Sequence, residues 1–482
     1  MLFFSPPFSE ATMVSIKLSI SRERDSSAAL SRIISKLDCS ERPARMLASP
    51  FCNVSLIRIR EAVVISTPRS EVIPLFCIAS NKNPGIMNIC DELILGDIEN
   101  VDFIVKNAIQ RKCNLAIIGP ENPLSKGVVN RLKENNIPSI GPTKDLAQIE
   151  TSKSFARDLM KEYNIDGLPI YQSFTTMNGV KECLANHGEN YVLKYDGLAG
   201  GKGVKVSGEH IFNHEEALDY CQGIISSNGK FVIEEKFIGE EFSLMSFSDG
   251  KTLKHMPVIQ DHKRAYEGDE GPNTGGMGTY SDKDHSLPFL NNEDVNKAKE
   301  TNEKIIKALY KKFGERYIGV LYGGFMVTED GVKVIEYNAR FGDPEAMNVL
   351  TLLETDLLTI FKSMVRGDLD SADVKFRNQA TVCKYAVPIG YPTDPVKGSS
   401  VDVSMIADDE VISYGSVNTQ NDKIILAGSR TLCITEIGDT IAEAELVVEE
   451  KISKVKGSLF HRTDIGKIEL INKKIERMNK IR

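Results

Sequence analysis

Glu336 and Asn338 stand two residues apart in VKVIEYNARFGDPE (Val332 to Glu345). The stretch opens with strand-like alternation, so both side chains should leave the same face. A carboxylate and an amide oxygen side by side suit a hard cation such as magnesium, which takes few protein ligands and completes its shell with water and substrate phosphates. Arg340 falls on the same side of the pattern, where its planar fork can grip a phosphoryl group or a carboxylate at two points. A plain edge-strand ion pair between Glu336 and Arg340 explains the same spacing. The RFGDPE turn that follows weighs against that plain account, because it carries two more carboxylates, Asp343 and Glu345, into the neighbourhood.

A second constellation is VLKYDGLAGGKGVKV (Val192 to Val206), with glycines at 197, 200, 201 and 203 and lysines at 194, 202 and 205. Glycine lets backbone N–H groups approach phosphate oxygens, and lysine neutralises them. This is not a Walker motif, since Lys202 is followed by Gly203 and not by Ser or Thr. The loop taken alone reads equally well as a flexible hairpin with solvated lysines. The third constellation, QDHKRAYEGDEGPNTGGMGTYS (Gln260 to Ser281), reads as a long structureless loop, and a loop of that length in a compact domain is usually functional. Asp261, Lys263 and Arg264 mix charges within it, and Gly271 to Gly278 offer backbone donors to a small anion. His262 reads better as a packing or surface residue than as a base, because activating an amine needs no dedicated imidazole. Weaker signals are Glu150, Ser152 and Lys153 at a helix start, FVIEEKFIGEEFS (Phe231 to Ser243), and GPENPL (Gly119 to Leu124) just past a strand, which is otherwise a simple turn.

The elements that must position these residues follow from periodicity. LAIIG (115 to 119), an amphipathic stretch over 125–135 and IPSIG (137 to 141) predict a β-α-β unit with a parallel sheet. A helix is expected over 151–163, capped by Thr151 or Ser152 and ended by DGLP (166 to 169). Between 191 and 338 the chain turns strand-rich, with helices near 215–226 and 294–313. Beyond Gly367 the strands shorten, turns such as AGSR (Ala427 to Arg430) multiply, and one late helix is expected over 440–454. The expected architecture is α/β and α+β multidomain. It comprises an atypical segment 1–65, an N-terminal parallel α/β domain 66–150, a core 151–365 with a small lid over 165–240, and a small C-terminal domain 370–482.

Bulk composition limits the function classes. At 482 residues the chain is long for one folding unit, and 41% hydrophobic with 26% charged residues lies in the globular range. A net charge of −8 supplies no general field for nucleic acid or anionic lipid. Nine cysteines without a CxxC pair, and seven histidines at no ligand-like spacing, suggest neither a zinc site nor a disulfide framework. No membrane-length apolar run and no signal-peptide pattern occurs, so a reducing cytoplasm is expected, with the chain a monomer or weak homodimer.

In this order, GPENPL, KYDGLAGGKGV, DHKR, GPNTGGMG, RFGDPEAM and the terminal RTDIG (462 to 466) resemble the ATP-grasp family. Within it they resemble the ligases that join glycine to 5-phosphoribosylamine in purine biosynthesis. The resemblance covers roughly Ser66 to Asp464. It implies an ATP-grasp core between an N-terminal α/β domain and a C-terminal domain, ATP and magnesium, with manganese a substitute, and small-molecule substrates only. By it, Lys153 and Lys194 contact ATP phosphates, and Gly200, Gly201, Lys202 and Gly203 form a loop that closes over them. Glu235, Phe237 and Ile238 edge the adenine, Glu241 meets the ribose, and Glu336 and Asn338 hold the metal. Arg340, Lys263 and Asp343 are the implied catalytic groups. Substrate contacts fall to Gly119, Pro120, Glu121, Asp261, Asn273, Thr274, Gly275, Gly276, Met277 and Gly278. One motif is missing: residues 1–65 hold no GSGGREHA-type turn, and the nearest letters, RIREAVV (Arg58 to Val64), lack every glycine. An unrelated head on a well-matched body is what a misassigned start or an upstream frame shift produces. The implied alternative is a catalytically impaired homologue that binds ATP and metal.

Overall fold

The computed structural model describes residues 2–4, 55–59, 62–66, 74–199, 203–406 and 411–482, the first three stretches as backbone only. The N-terminal sheet runs in the order Glu92–Leu95, Leu75–Ala79, Leu2–Phe4, Leu115–Ile117, Ser139–Ile140. Leu75–Ala79 pairs in parallel with Glu92–Leu95, and Leu115–Ile117 with Ser139–Ile140, while Leu2–Phe4 lies antiparallel between the two pairs. The sheet is therefore mixed where a parallel one was expected. Helix Val101–Gln110 is capped by Asn100, whose side chain accepts the Phe103 N–H, and buries Ile104, Val105 and Ala108. The amphipathic stretch read over 125–135 is split: Gly127 takes φ +80, so Glu121–Ser125 ends before it and Val128–Glu134 starts after it.

Ser152 proves to be the cap of helix Lys153–Glu162, accepting the Phe155 N–H on its Oγ at 3.1 Å. A small antiparallel sheet follows, ordered Val204–Val206, Tyr191–Tyr195, Phe231–Glu235, Tyr171–Phe174, and backed by helices Val180–His187 and His214–Ser226. It has a core of its own around Phe174, Leu193, Phe231 and Ile233, as an independent lid requires. The larger antiparallel sheet runs Leu253–His255, Gly239–Asp249, Ile318–Thr328, Gly331–Asn338. Its last strand places Glu336 opposite Gly324 and Asn338 opposite Tyr322. Helix Asn292–Phe313 packs on this sheet and opens with a reciprocal capping box between Asn291 and Asp294.

The passage Gln260 to Ser281 is not a structureless loop. Arg264–Tyr266 pairs with Glu270–Asn273 in a hairpin, and Gly278–Ser281 pairs with Ala380–Pro388. The C-terminal sheet, ordered Gln260–Asp261, Gly278–Ser281, Ala380–Pro388, Leu432–Gly438, Ile412–Tyr414, is therefore built outward from ATP-grasp strands. Polar, glycine-rich strands without apolar alternation give no period-2 signal, which is why sequence reading misses them. The glycine is obligatory at 278, where a Cβ would lie 2.3 Å from the Cys383 carbonyl oxygen. Helix Ile441–Ile452 lies where one was expected, whereas Ile468–Ile481, which buries Leu470, Ile471 and Met478, was not anticipated.

Candidate active site

The N-terminal sheet, the lid, the large sheet and the C-terminal sheet meet around a cleft of about 350 Å³. Gly119, Pro120 and Glu121 enter from the end of Leu115–Ile117, Lys194 and Gly203 from the lid, and Glu241 and Lys263 from the side wall. Glu336, Asn338, Arg340 and Asp343 follow in turn along the floor. Lys153, Asp261, Asn273, Thr274 and Gly275 complete the sequence-predicted residues that line it.

One wall is a lattice of lysines, arginines and carboxylates. Lys194 is buried, with Nζ 2.7 Å from Glu234 Oε2 and donating to the Ile335 carbonyl at 2.8 Å. Arg157 grips the same two acceptors, reaching Glu234 at 2.7 and 3.0 Å and the Ile335 carbonyl at 2.6 Å. Burial alone would push the Glu234 carboxyl up, but Arg157 and Lys194 outweigh it and hold the group at about 2. Burial likewise pulls Lys194 below the ordinary lysine value, against the attraction of Glu234. Lys153 Nζ lies 3.2 Å from Glu336 Oε2, and Lys263 Nζ lies 2.9 Å from Glu241 Oε2. For Glu336 too, burial is outweighed: Lys153, Lys263 and Lys194 hold it well below the carboxylate range. Glu336 is thus an anion ringed by cations.

The plain Glu336–Arg340 ion pair, the alternative that the spacing also allowed, is not the arrangement found: Arg340 pairs with Glu150 and Glu121. The strand ends at Asn338, so alternation no longer sets the direction of Arg340. Its Nη2 lies 3.1 Å from Glu150 Oε1, its Nε 3.3 Å from Glu121 Oε2, and its Nη1 donates to the Phe341 carbonyl at 3.1 Å. Glu150 in turn accepts the Ala339 N–H at 2.7 Å. Arg340 thereby ties the GPENPL turn to the floor.

The other wall carries the glycine turn. Thr274 donates from its N–H and its hydroxyl to the Lys263 carbonyl at 2.7 and 2.8 Å. Gly276 has φ +106, and a Cβ there would meet Pro344 Cδ at 2.6 Å and Asp261 Oδ1 at 2.7 Å. That Asp261 oxygen is enclosed with no hydrogen-bond partner among the described residues, and burial with the nearby Glu345 pushes the carboxyl well up. Tyr322 donates its hydroxyl to Glu345 Oε1 at 2.9 Å.

Not every predicted residue gathers here. Gly276 backs the wall, and Met277 and Gly278 lie in or beside the buried strand pairing behind it. Glu235, Phe237 and Ile238 sit at the hinge between lid and body, outside the ring that lines the cleft; Glu235 accepts the Ile170 N–H at 2.8 Å and Ile238 is exposed. Gly200, Gly201 and Lys202 lie outside the described residues, as do most of residues 1–65. His262 is buried with Nδ1 3.0 Å from Asp269 Oδ1, away from the cleft. Sequence reasoning passed over Arg157, Glu234, Tyr322 and Arg430. The first two pair across 77 positions, and Arg430 stood in what read as a turn.

The N, ATP-grasp (A) and C domains of phosphoribosylglycinamide synthetase match residues 60–150, 151–346 and 381–468 respectively. The chain belongs to the phosphoribosylglycinamide synthetase family. Among its relatives, the phosphoribosylamine–glycine ligase of Methanocaldococcus jannaschii is 46% identical over 431 residues, covering 87% of this chain and 97% of that protein. The enzyme of the same name from Methanocella arvoryzae is 46% identical over 422 residues, with the same two coverages. The crystal structure of phosphoribosylamine–glycine ligase from Thermotoga maritima superposes with a TM-score of 0.65 at 28% identity, over 75% of this chain and 88% of that one. Membership in this ATP-grasp family brings the use of ATP and a divalent metal. Among the described residues no helix is long and apolar enough to cross a membrane.

Proposed function

We infer that the chain is a carboxylate–amine ligase that joins glycine to 5-phosphoribosylamine, consuming ATP and giving glycinamide ribonucleotide, ADP and phosphate. The observation that carries this reading is the cleft itself, which brings Lys153, Lys263, Arg340, Glu336 and Asn338 together with the Asn273 to Gly275 turn. Glycine's carboxylate is a poor acyl donor, and transfer of the γ-phosphoryl to it makes glycyl phosphate. The ribosylamine nitrogen then attacks the acyl carbon, phosphate leaves, and the nitrogen sheds a proton. No covalent link to the protein is required.

The protein's share is positioning and charge neutralisation. Lys194 and Lys153 meet the nucleotide phosphates, Lys194 being held in place by Glu234 and the Ile335 carbonyl. Arg340, braced by Glu150 and Glu121, offers its fork to the transferring phosphoryl or the acyl phosphate. Glu336 and Asn338 would hold magnesium, or manganese in its place. Their two oxygens, a carboxylate and an amide two residues apart on one strand at the cleft, fit a cation that shares its shell with phosphates. When bound, the metal lowers the charge of the phosphates during transfer. Glu241 beside Lys263 suits the ribose, the hinge from Glu235 to Ile238 the adenine, and Asp261 with Asn273 to Gly275 the amine-bearing substrates. Closure of the lid with Gly200 to Gly203 would keep water from the acyl phosphate. A cytoplasmic monomer or weak dimer, without nucleic-acid or membrane partners, accords with the net charge of −8.

A second reading rests on one observation, the missing GSGGREHA-type turn in residues 1–65: a chain that binds ATP and metal but grips phosphoribosylamine weakly. One assay separates the two. The purified chain is given magnesium–ATP, glycine and phosphoribosylamine, and product and ADP are both measured. The first reading expects one ADP per glycinamide ribonucleotide and no product when any substrate is left out. Product that forms only at very high phosphoribosylamine supports the impaired form, and absence of glycine-dependent ADP and product at any concentration refutes both.

A further inference from the structure

Arg430 enters the cleft from the C-terminal sheet, and its contacts are more numerous than a surface arginine's. Nη2 lies 2.5 Å from Asp343 Oδ2. Nη1 donates to the carbonyls of Gly275 at 2.6 Å, Gly276 at 3.1 Å and Asp343 at 3.3 Å. The guanidinium lies over the Tyr385 ring, 4.7 Å from its centroid, and Tyr385 itself donates to Asp343 Oδ1 at 3.3 Å. The arginine is 8% exposed and its own carbonyl is fixed by the Ser416 N–H at 2.7 Å. One rigid fork from the C-terminal sheet thus holds two segments of the ATP-grasp body together, the Gly275–Gly276 turn and the Asp343 turn. A planar guanidinium with five donors can do this, and an ammonium cannot reach the same acceptors at once.

The place of these contacts gives them a role. The floor begins at Ile335, which the lid lysine Lys194 holds, and passes Glu336 and Asn338 before turning to Asp343. The phosphate lysines Lys153 and Lys194 hold the near end of this floor at Glu336 and Ile335, whereas Asp343 stands in the turn beyond the strand's end at Asn338, against the Gly275–Gly276 turn and Asp261 that were assigned above to the amine-bearing substrates. That is where an amine must stand to attack an acyl group activated at the near end.

We propose that Arg430 is a positioning residue that sets the amine-acceptor wall of the cleft and thereby couples ATP consumption to amide formation. The proposal rests on the ligase reading above. When the wall is loose, glycyl phosphate still forms, but the amine is misplaced and water attacks the acyl carbon instead. Phosphate then leaves, glycine is regenerated, and ATP is spent without product.

The test measures ADP and glycinamide ribonucleotide together for the wild type, Arg430→Met, Arg430→Lys and Gly275→Ala. The last keeps the arginine but displaces it, since a Cβ at 275 would lie 2.9 Å from Arg430 Nη2. The wild type should give a ratio near unity. Arg430→Met should raise the ratio at least about threefold and lower product turnover on the order of 10- to 100-fold, with KM for ATP changed by less than about twofold. Arg430→Lys and Gly275→Ala should fall between, and they keep the test open if the methionine variant folds poorly. A protein that merely loses active molecules lowers both products together, so an unmoved ratio in all folded variants overturns the proposal. So does a rise in KM for ATP equal to the loss of turnover. A wild type without glycine-dependent ADP removes the ligase reading itself, and the proposal with it.

Discussion

Two charge networks lie close together in this chain and are built differently. The first lines the cleft, where Lys153, Glu336, Lys263, Glu241, Arg340 and Glu150 pair across open space. The second lies behind it. Arg462, 1% exposed in its side chain, binds Asp464 at 2.7 Å and Asp269 at 2.7 Å; Lys474 binds Asp269 at 3.2 Å and Glu240 at 3.0 Å; His262 closes on Asp269 at 3.0 Å. The first is the more exposed, with Lys263 and Glu241 37% and 42% accessible, while the cations of the second are almost wholly enclosed. The difference is that the charges of the second network pair with one another away from the cleft, with only His262 Nε2 among them left unpartnered among the described residues, whereas the partners in the first face a cavity from which an arriving phosphate can displace a carboxylate. Buried ion pairs therefore mark a site here only where they border a volume that a ligand can fill.

Breaking the first network should cost function without structure. Glu336→Gln and Asn338→Leu should each lower product turnover about 10²- to 10³-fold, the scale of removing a group that stabilises charge at the reacting centre. Melting temperature should shift by only a few degrees, because Glu336 is 27% exposed and its lysine partner keeps access to water. Near-normal glycine-dependent ADP formation in either variant would mean that the metal is held elsewhere.

The second network should show the converse. Arg462→Met takes the charged partner from half-buried Asp464 and leaves Asp269 with Lys474 and His262 only, a loss on the order of 2–3 kcal/mol. Calorimetry should therefore record a fall of roughly 5–15 °C in melting temperature. Turnover per folded molecule should stay within about twofold of wild type at a temperature where both are folded. Intact stability with lost turnover would place Arg462 in the reaction and dissolve the contrast.

The contrast was only partly legible in the sequence. Glu336 and Asn338 could be placed on one face because they sit on a strand with a clear period, and the GPENPL turn because it follows one, whereas Arg340 lies past the strand's end and its direction could not be read. The family and its fold followed from motifs that are short, rare and ordered. What could not be read depends on distance in the chain. Glu234 looks like any strand glutamate until Arg157 and Lys194 fold against it, and Arg430 looks like a turn residue until the C-terminal sheet carries it to Asp343. The strands inside Gln260 to Ser281 were hidden for another reason: their pairing is specified by glycine clearance and a partner about 100 positions away, not by apolar alternation.

The central claim is that the cleft activates glycine's carboxylate by phosphorylation before the amine attacks. Glycine labelled with ¹⁸O in its carboxylate tests this most directly, with the released phosphate analysed by mass spectrometry after turnover with unlabelled ATP. The oxygen that attacks the γ-phosphorus leaves with it, so one labelled oxygen should appear in phosphate for each glycinamide ribonucleotide formed, and the other should remain in the amide. Unlabelled phosphate alongside normal product formation would contradict the account, since the amide would then have formed without an acyl phosphate.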